Sequence, residues 1–159
     1  MYCTYLGDNA DCQNYVSQCL WAGFGGNQGV PAYQQYPMDS IWWTTHYNCS
    51  NQWSSASNFY NYVTGNQNNN TNGVQGTDWG TVTNYMQPGD YVYDVNMGHV
   101  YFMTGCDDSK GSLSGVAEWP EIIISAHNEN HIDHYLQTLY WGGIIPSNMK
   151  FMRIYRIVY

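Results

Sequence analysis

Between Asp11 and Gly23 the chain carries apolar residues at helical spacing, with Val16, Cys19, Leu20 and Gly23 on the face below Cys12. Asp8, Asn9 or Asp11 can cap this helix, and the glycine-rich run 23–26 stops it. Residues 25–37, rich in Gly, Gln, Pro and Tyr, and the run 41–47 that follows then read as a long surface excursion. Ser54 or Ser55 can cap a second helix through Phe59, Tyr60 and Val63, with Gly65 opening a polar, solvated loop over 66–73. A short third helix is expected from Thr77 or Asp78 through Trp79, Val82 and Tyr85, ended by the turn Gln87-Pro88-Gly89-Asp90.

Beyond that turn the period changes from helical to extended. Residues 91–93, 99–104, 121–126, 134–141 and 151–158 are rich in aromatic and β-branched side chains and are separated by Gly, Asn and Asp turns. Helices first and strands afterwards predict an α+β fold, an antiparallel sheet with the Cys12 helix packed on one face. At 159 residues the chain is expected to form a single domain, 1–159, burying about two thirds of the surface its unfolded form exposes.

Composition narrows the partners. Lys and Arg number 4 against 12 Asp and Glu, and the net charge of −8 opposes nucleic acid and anionic lipid, both of which are bound through clustered cations. No stretch reaches the apolar length of a membrane span, and the first residues have neither the basic start nor the apolar run of a signal peptide. Charged residues are only 10% of the chain, so neutral polar groups solvate its surface; with five cysteines this suits a secreted or cell-wall setting and a domain excised from a longer protein. An odd number of cysteines leaves at least one thiol unpaired, and the pairing among Cys3, Cys19, Cys49 and Cys106 is open.

Cys12 is the candidate for chemistry. A thiol in the first turn of a helix lies near unpaired N–H groups that favour its thiolate, the nucleophilic form. Such a nucleophile needs a base and a group that orients the base. His99 begins an apolar strand, where a ring can be held rigidly at a sheet edge, and is the expected base. His127 ends the run 122–126, and its ring or the Asn128 amide can hold the His99 imidazole in one tautomer.

The run Asp11-Cys12-Gln13-Asn14-Tyr15-Val16-Ser17-Gln18-Cys19-Leu20 resembles the signature of the putative amidase domains of bacterial secreted and cell-wall proteins, relatives of the NlpC and CHAP papain-like cysteine peptidases. Trp42-Trp43 followed by Trp53, then Pro88-Gly89-Asp90, Gly98-His99-Val100 and Ser125-Ala126-His127-Asn128, agree in order. The resemblance implies a papain-like fold, Cys12 as nucleophile, His99 as general base and then acid, His127 as orienting residue, and peptidoglycan amides as substrate. It further implies a cleft in which Asp11, Asn128, Trp42 and Trp43 meet the substrate, and no cofactor or metal. Gln13 departs from the small hydroxyl residue usual there, and the nearness of the motif to Met1 suggests an upstream stretch that closes the cleft.

The same residues admit other classes. His127, His131 and His134 with Asp133 or Glu129 could ligate zinc, although their strand-and-turn context argues against it. Gly111-Ser112-Leu113-Ser114-Gly115 puts Leu113 where a serine nucleophile would stand, so it reads as a hairpin loop. An aromatic-rich carbohydrate or cell-wall binding module, or a degenerate hydrolase that only binds, would use Trp42, Trp43 and Trp53 as platforms but leaves Cys12 and His99 unexplained. A monomer acting on a peptide amide is the expectation.

Overall fold

A computed structural model describes residues 11–26, 38–45, 47–69, 73–79, 86–107, 122–127, 131–139 and 147–158. Helices α1 (Asp11–Gly23), α2 (Asn51–Ser54) and α3 (Ala56–Asn69) precede strands β1 (Gly73–Asp78), β2 (Tyr91–Asp94), β3 (His99–Cys106), β4 (Ile122–Ala126), β5 (His131–Tyr135) and β6 (Met149–Val158). The strands form one six-stranded sheet in the order β1-β6-β2-β3-β4-β5, antiparallel at each junction. This is the α+β arrangement expected from helices first and strands later.

Side-chain alternation along the strands divides the core in two. On one face Tyr91, Tyr93, Val100 and Met152 pack against Val16 and Leu20 of α1, Trp42, Trp53 of α2, and Phe59 and Val63 of α3. On the other face Val92, Tyr101, Met103, Ile122, Ile124 and Phe151 form a second cluster, closed in part by Leu136 from the 3-10 helix Leu136–Leu139. The sheet is thus buried on both sides around β2 and β3, the second of which begins with His99.

Several expectations are corrected. α3 runs past Gly65 to Asn69, because a helix already nucleated and packed through Phe59 and Val63 gains a hydrogen bond for each residue it adds, even over a polar tract. Thr77 and Asp78 are the last residues of β1 and start no helix, while Val82 and Tyr85 lie outside the described residues. β1 pairs closely with β6 beneath α3: a Cβ on Gly76 would stand 2.6 Å from the Arg153 carbonyl oxygen and 2.7 Å from Val63 Cγ1. The extended segment expected over 134–141 is displaced to β5, followed by the 3-10 turn; Trp141 lies outside the described residues. Asp133 takes a φ of 52° there, fastened by its N–H to Ser125 Oγ at 3.1 Å and by the Thr104 hydroxyl to Oδ1 at 2.8 Å.

Trp42 belongs to the interior and to no surface excursion. The Asp39 carboxylate accepts the N–H groups of Ile41 and Trp42 at 2.7 and 2.6 Å, which turns the chain inward. The indole then stacks on Trp53 at 4.9 Å and has no exposed surface.

Candidate active site

α1 buries Cys12, Gln13, Asn14, Val16, Ser17, Leu20 and Trp21, a face that is part polar, whereas Cys19 is half-buried and Gly23 exposed. Two of the polar members, Ser17 and Asn14, bond to tryptophans. Ser17 Oγ accepts the Trp42 indole N–H at 3.1 Å and the Gln13 amide at 3.0 Å while donating to the Trp53 carbonyl at 2.8 Å. Asn14 Oδ1 accepts the Trp53 indole N–H at 2.7 Å. These bonds fix the rotation of α1 about its axis and so aim its first turn.

That turn presents Cys12 to β3. The thiol is 4% exposed and lies within reach of the backbone N–H groups of Val100, Gln13 and Cys12 itself. Burial pushes the thiol up from its usual range; the three N–H groups oppose that rise and the Asp11 charge adds to it. The helix terminus was expected to favour thiolate. Here desolvation outweighs it, so the resting group is a neutral thiol that needs a base to become a nucleophile.

Val100, whose N–H meets the thiol, directly follows His99. His99 is half-buried, its Nε2 fully enclosed, and its ring meets Tyr101 edge-on at 4.6 Å. Strand alternation therefore puts the His99 side chain on the Tyr101 face, while Val100 points to α1.

His127 comes from the other direction. Its Nδ1 is paired with Asp11 Oδ2, and its ring stacks on Tyr15 of α1 at 5.9 Å with the planes 14° apart. Continuing the register in which Phe102 faces Ser125, two residues along each strand, puts His127 level with Val100. The structure thus gathers Cys12, Asp11, His127 and the start of β3 at one end of the sheet.

The remaining sequence-predicted residues divide. Both Asp11 oxygens are engaged, one by His127 and the other by the Asn14 amide at 3.2 Å, so Asp11 is tied to neighbouring side chains of the site. Trp42 is enclosed and backs the site from behind, which removes it from the cleft wall. Trp43 is half-buried, its N–H bonded to Ser50 Oγ at 3.2 Å. Asn128, Glu129, Cys3 and residues 111–115 lie outside the described residues. No disulfide joins any two of Cys12, Cys19, Cys49 and Cys106. The rings of His131 and His134 approach to 4.9 Å on β5, and among the described residues no group of three or more His, Cys, Asp or Glu gathers as a metal site. Among the same residues no helix is long and apolar enough to cross a membrane.

Asn14, Ser17 and Trp53 were missed as parts of the site. Their signal in the sequence is a row of polar residues at helical spacing on an otherwise apolar face, with donor-only indoles downstream to satisfy them.

Among protein families, the model of the putative amidase domain matches residues 1–151. No curated protein and no solved structure matches the chain.

Proposed function

The chain belongs to the putative amidase domain family, and from that premise we propose that it is a cysteine-dependent amide hydrolase with Cys12 as its nucleophile. The observation that carries this reading is the Cys12 thiol itself, enclosed in the first turn of α1 and met by backbone N–H groups, with two imidazoles brought to the same end of the sheet. A buried neutral thiol is inert until a base takes its proton, which suits a nucleophile that must not react with bulk oxidants.

In this reading His99 takes the thiol proton as sulfur bonds to the amide carbon. The carbonyl electrons move onto oxygen, where the Cys12 N–H stabilises the developing charge. The oxyanion collapses, the C–N bond breaks, and His99 returns the proton to the departing amine. Water then gives its proton to the same imidazole and attacks the thioester, releasing acid and restoring the thiol. His127 orients the base. The substrate is a peptide amide of the bacterial wall, the setting secreted or wall-associated, the enzyme a monomer, and the fold a papain-like one related to NlpC and CHAP peptidases. Support for these finer points is the order of the sequence motifs and a surface poor in charge.

A second assignment of the base is favoured by strand alternation. His127 and Val100 share the α1 face whereas His99 shares that of Tyr101, which would make His127 the base and Asp11 its orienting carboxylate. The two separate cleanly. With His99 as base, His99→Ala abolishes turnover and His127→Ala lowers it by roughly one to three orders of magnitude; with His127 as base the order reverses. The binding-module alternative loses support, since Trp42 and Trp53 have no exposed surface to offer a sugar ring.

Mass analysis of fragments from purified sacculi tests the activity. Wild type should release products bearing new amino and carboxyl termini, and Cys12→Ala should release none. Binding to sacculi without any cleavage would overturn the hydrolase reading.

A further inference from the structure

A line of hydrogen bonds leads from the core to the His127 ring. The Trp53 indole N–H donates to Asn14 Oδ1 at 2.7 Å, Asn14 Nδ2 donates to Asp11 Oδ1 at 3.2 Å, and Asp11 Oδ2 is paired with His127 Nδ1. Trp53 has no exposed surface and Asn14 only 3%.

Direction along this line follows from which atoms can donate. An indole N–H is a donor only, so the Asn14 oxygen must face it and the Asn14 amino group must face Asp11. An ionised Asp11 accepts at both oxygens. The His127 nitrogen facing it must then carry a proton, which in a neutral imidazole leaves Nε2 as the acceptor. Tyr15, stacked on the ring with its plane 14° away, restrains the remaining rotation. Each partner lies on α1 or is fixed to it, and α1 also carries Cys12.

We infer that Trp53, Asn14 and Asp11 form a positioning relay that holds His127 in the Nδ1–H tautomer and turns its Nε2 lone pair to the service of the Cys12 centre. The relay gives Asp11 a role different from substrate contact, and it explains an Asn three positions after an Asp at the start of α1. Its catalytic consequence rests on the hydrolase reading; the tautomer does not. Asp11, Asn14 and Trp53 act through His127 and need touch no substrate.

Substitution of Asp11 by Asn gives a sharp outcome. An amide has one acceptor oxygen where the carboxylate had two, and Asn14, locked by Trp53, still donates toward it. The new amide therefore turns its oxygen to Asn14 and its N–H to His127 Nδ1, which inverts the tautomer. Releasing Asn14 by adding Trp53→Phe lets its amide take either orientation, so the double variant regains access to Nδ1–H and shows both tautomers.

The test is the imidazole nitrogen spectrum of the full-length, histidine-labelled protein, recorded at a pH where the ring is neutral. Wild type should show Nδ1 protonated and Nε2 as the bare nitrogen, Asp11→Asn the reverse, and the double variant a mixture of the two. Asp11→Ala removes the partner and should give the tautomer mixture of a solvated histidine, which decides the matter should Asp11→Asn not fold. An Nε2–H ring in wild type, or an unchanged ring in the Asp11 variants, overturns the relay. On a peptide amide, Asp11→Asn should lower kcat about 100-fold with KM within twofold, since the base or its orienter is present in the wrong form. The expected spectra with no hydrolysis by wild type would sink the hydrolase reading and leave the relay standing.

Discussion

The Trp42 indole N–H donates to the hydroxyl of Ser17 at 3.1 Å, joining residues 25 positions apart in the chain. The same hydroxyl donates to the Trp53 carbonyl at 2.8 Å and accepts from Gln13, so one small side chain ties α1 to both tryptophans behind the site. Ser17 and Trp42 are fully buried.

Ser17→Ala should therefore be costly for so small a deletion. It strands the Trp42 N–H and the Trp53 carbonyl without their partner away from water, at roughly 1–3 kcal/mol for each buried group left unsatisfied. Urea denaturation should show a loss of about 2–4 kcal/mol in stability, on the same footing. A loss below about 0.5 kcal/mol, the scale of an ordinary surface substitution, would mean that these bonds do not hold α1 in place.

Cys12 should react slowly with iodoacetamide near neutral pH. Burial raises the thiol above its ordinary value of 9.0, so the thiolate fraction keeps growing as pH climbs beyond that point. Peptide mapping of the alkylated protein should show a Cys12 rate still increasing above pH 9. A plateau reached below pH 8 would mean a preformed thiolate and would contradict the burial argument.

Asp90, at the turn before β2, is fully buried and accepts the Gln87 and Ile154 N–H groups at 2.8 and 3.0 Å. Burial nonetheless pushes its carboxyl from 3.8 up to about 6, against those two donors and the Arg153 charge. A folded value above the unfolded one means that the protonated form is the better fit. Its stabilisation is full below about 3.8 and is lost as pH rises through about 6. The stability difference between wild type and Asp90→Asn should accordingly shrink by on the order of 2 kcal/mol from pH 4 to pH 7. Growth of that difference over the same range would show a carboxylate held ionised by its donors.

How much of this was legible in sequence depends on where the partners lie. α1 and the strands β2, β3, β4 and β6 announce themselves through local period and β-branched runs, and Cys12 stands out as a candidate through its place after an acidic residue at a helix start. β1 does not: Gly73 to Gln75 and Gly76 are all buried, so no alternation marks the segment, and only the tertiary approach to β6 makes it a strand. The same limit hides the contacts of Asp11 and Asn14. Their partners are 116 and 39 positions away, and nothing in a local window says which indole or imidazole will arrive. His99 was placed correctly at the start of β3, but which face its ring takes depends on a register that sequence does not display.

If Cys12 carries the acyl group during amide cleavage, the mass of the protein quenched in acid during turnover of a wall-derived peptide amide will show it. A thioester adduct, equal in mass to the acyl part of the substrate, is expected on the peptide containing Cys12, and neither adduct nor product with Cys12→Ala. Turnover by Cys12→Ala at the wild-type rate, with no adduct on either protein, would contradict it.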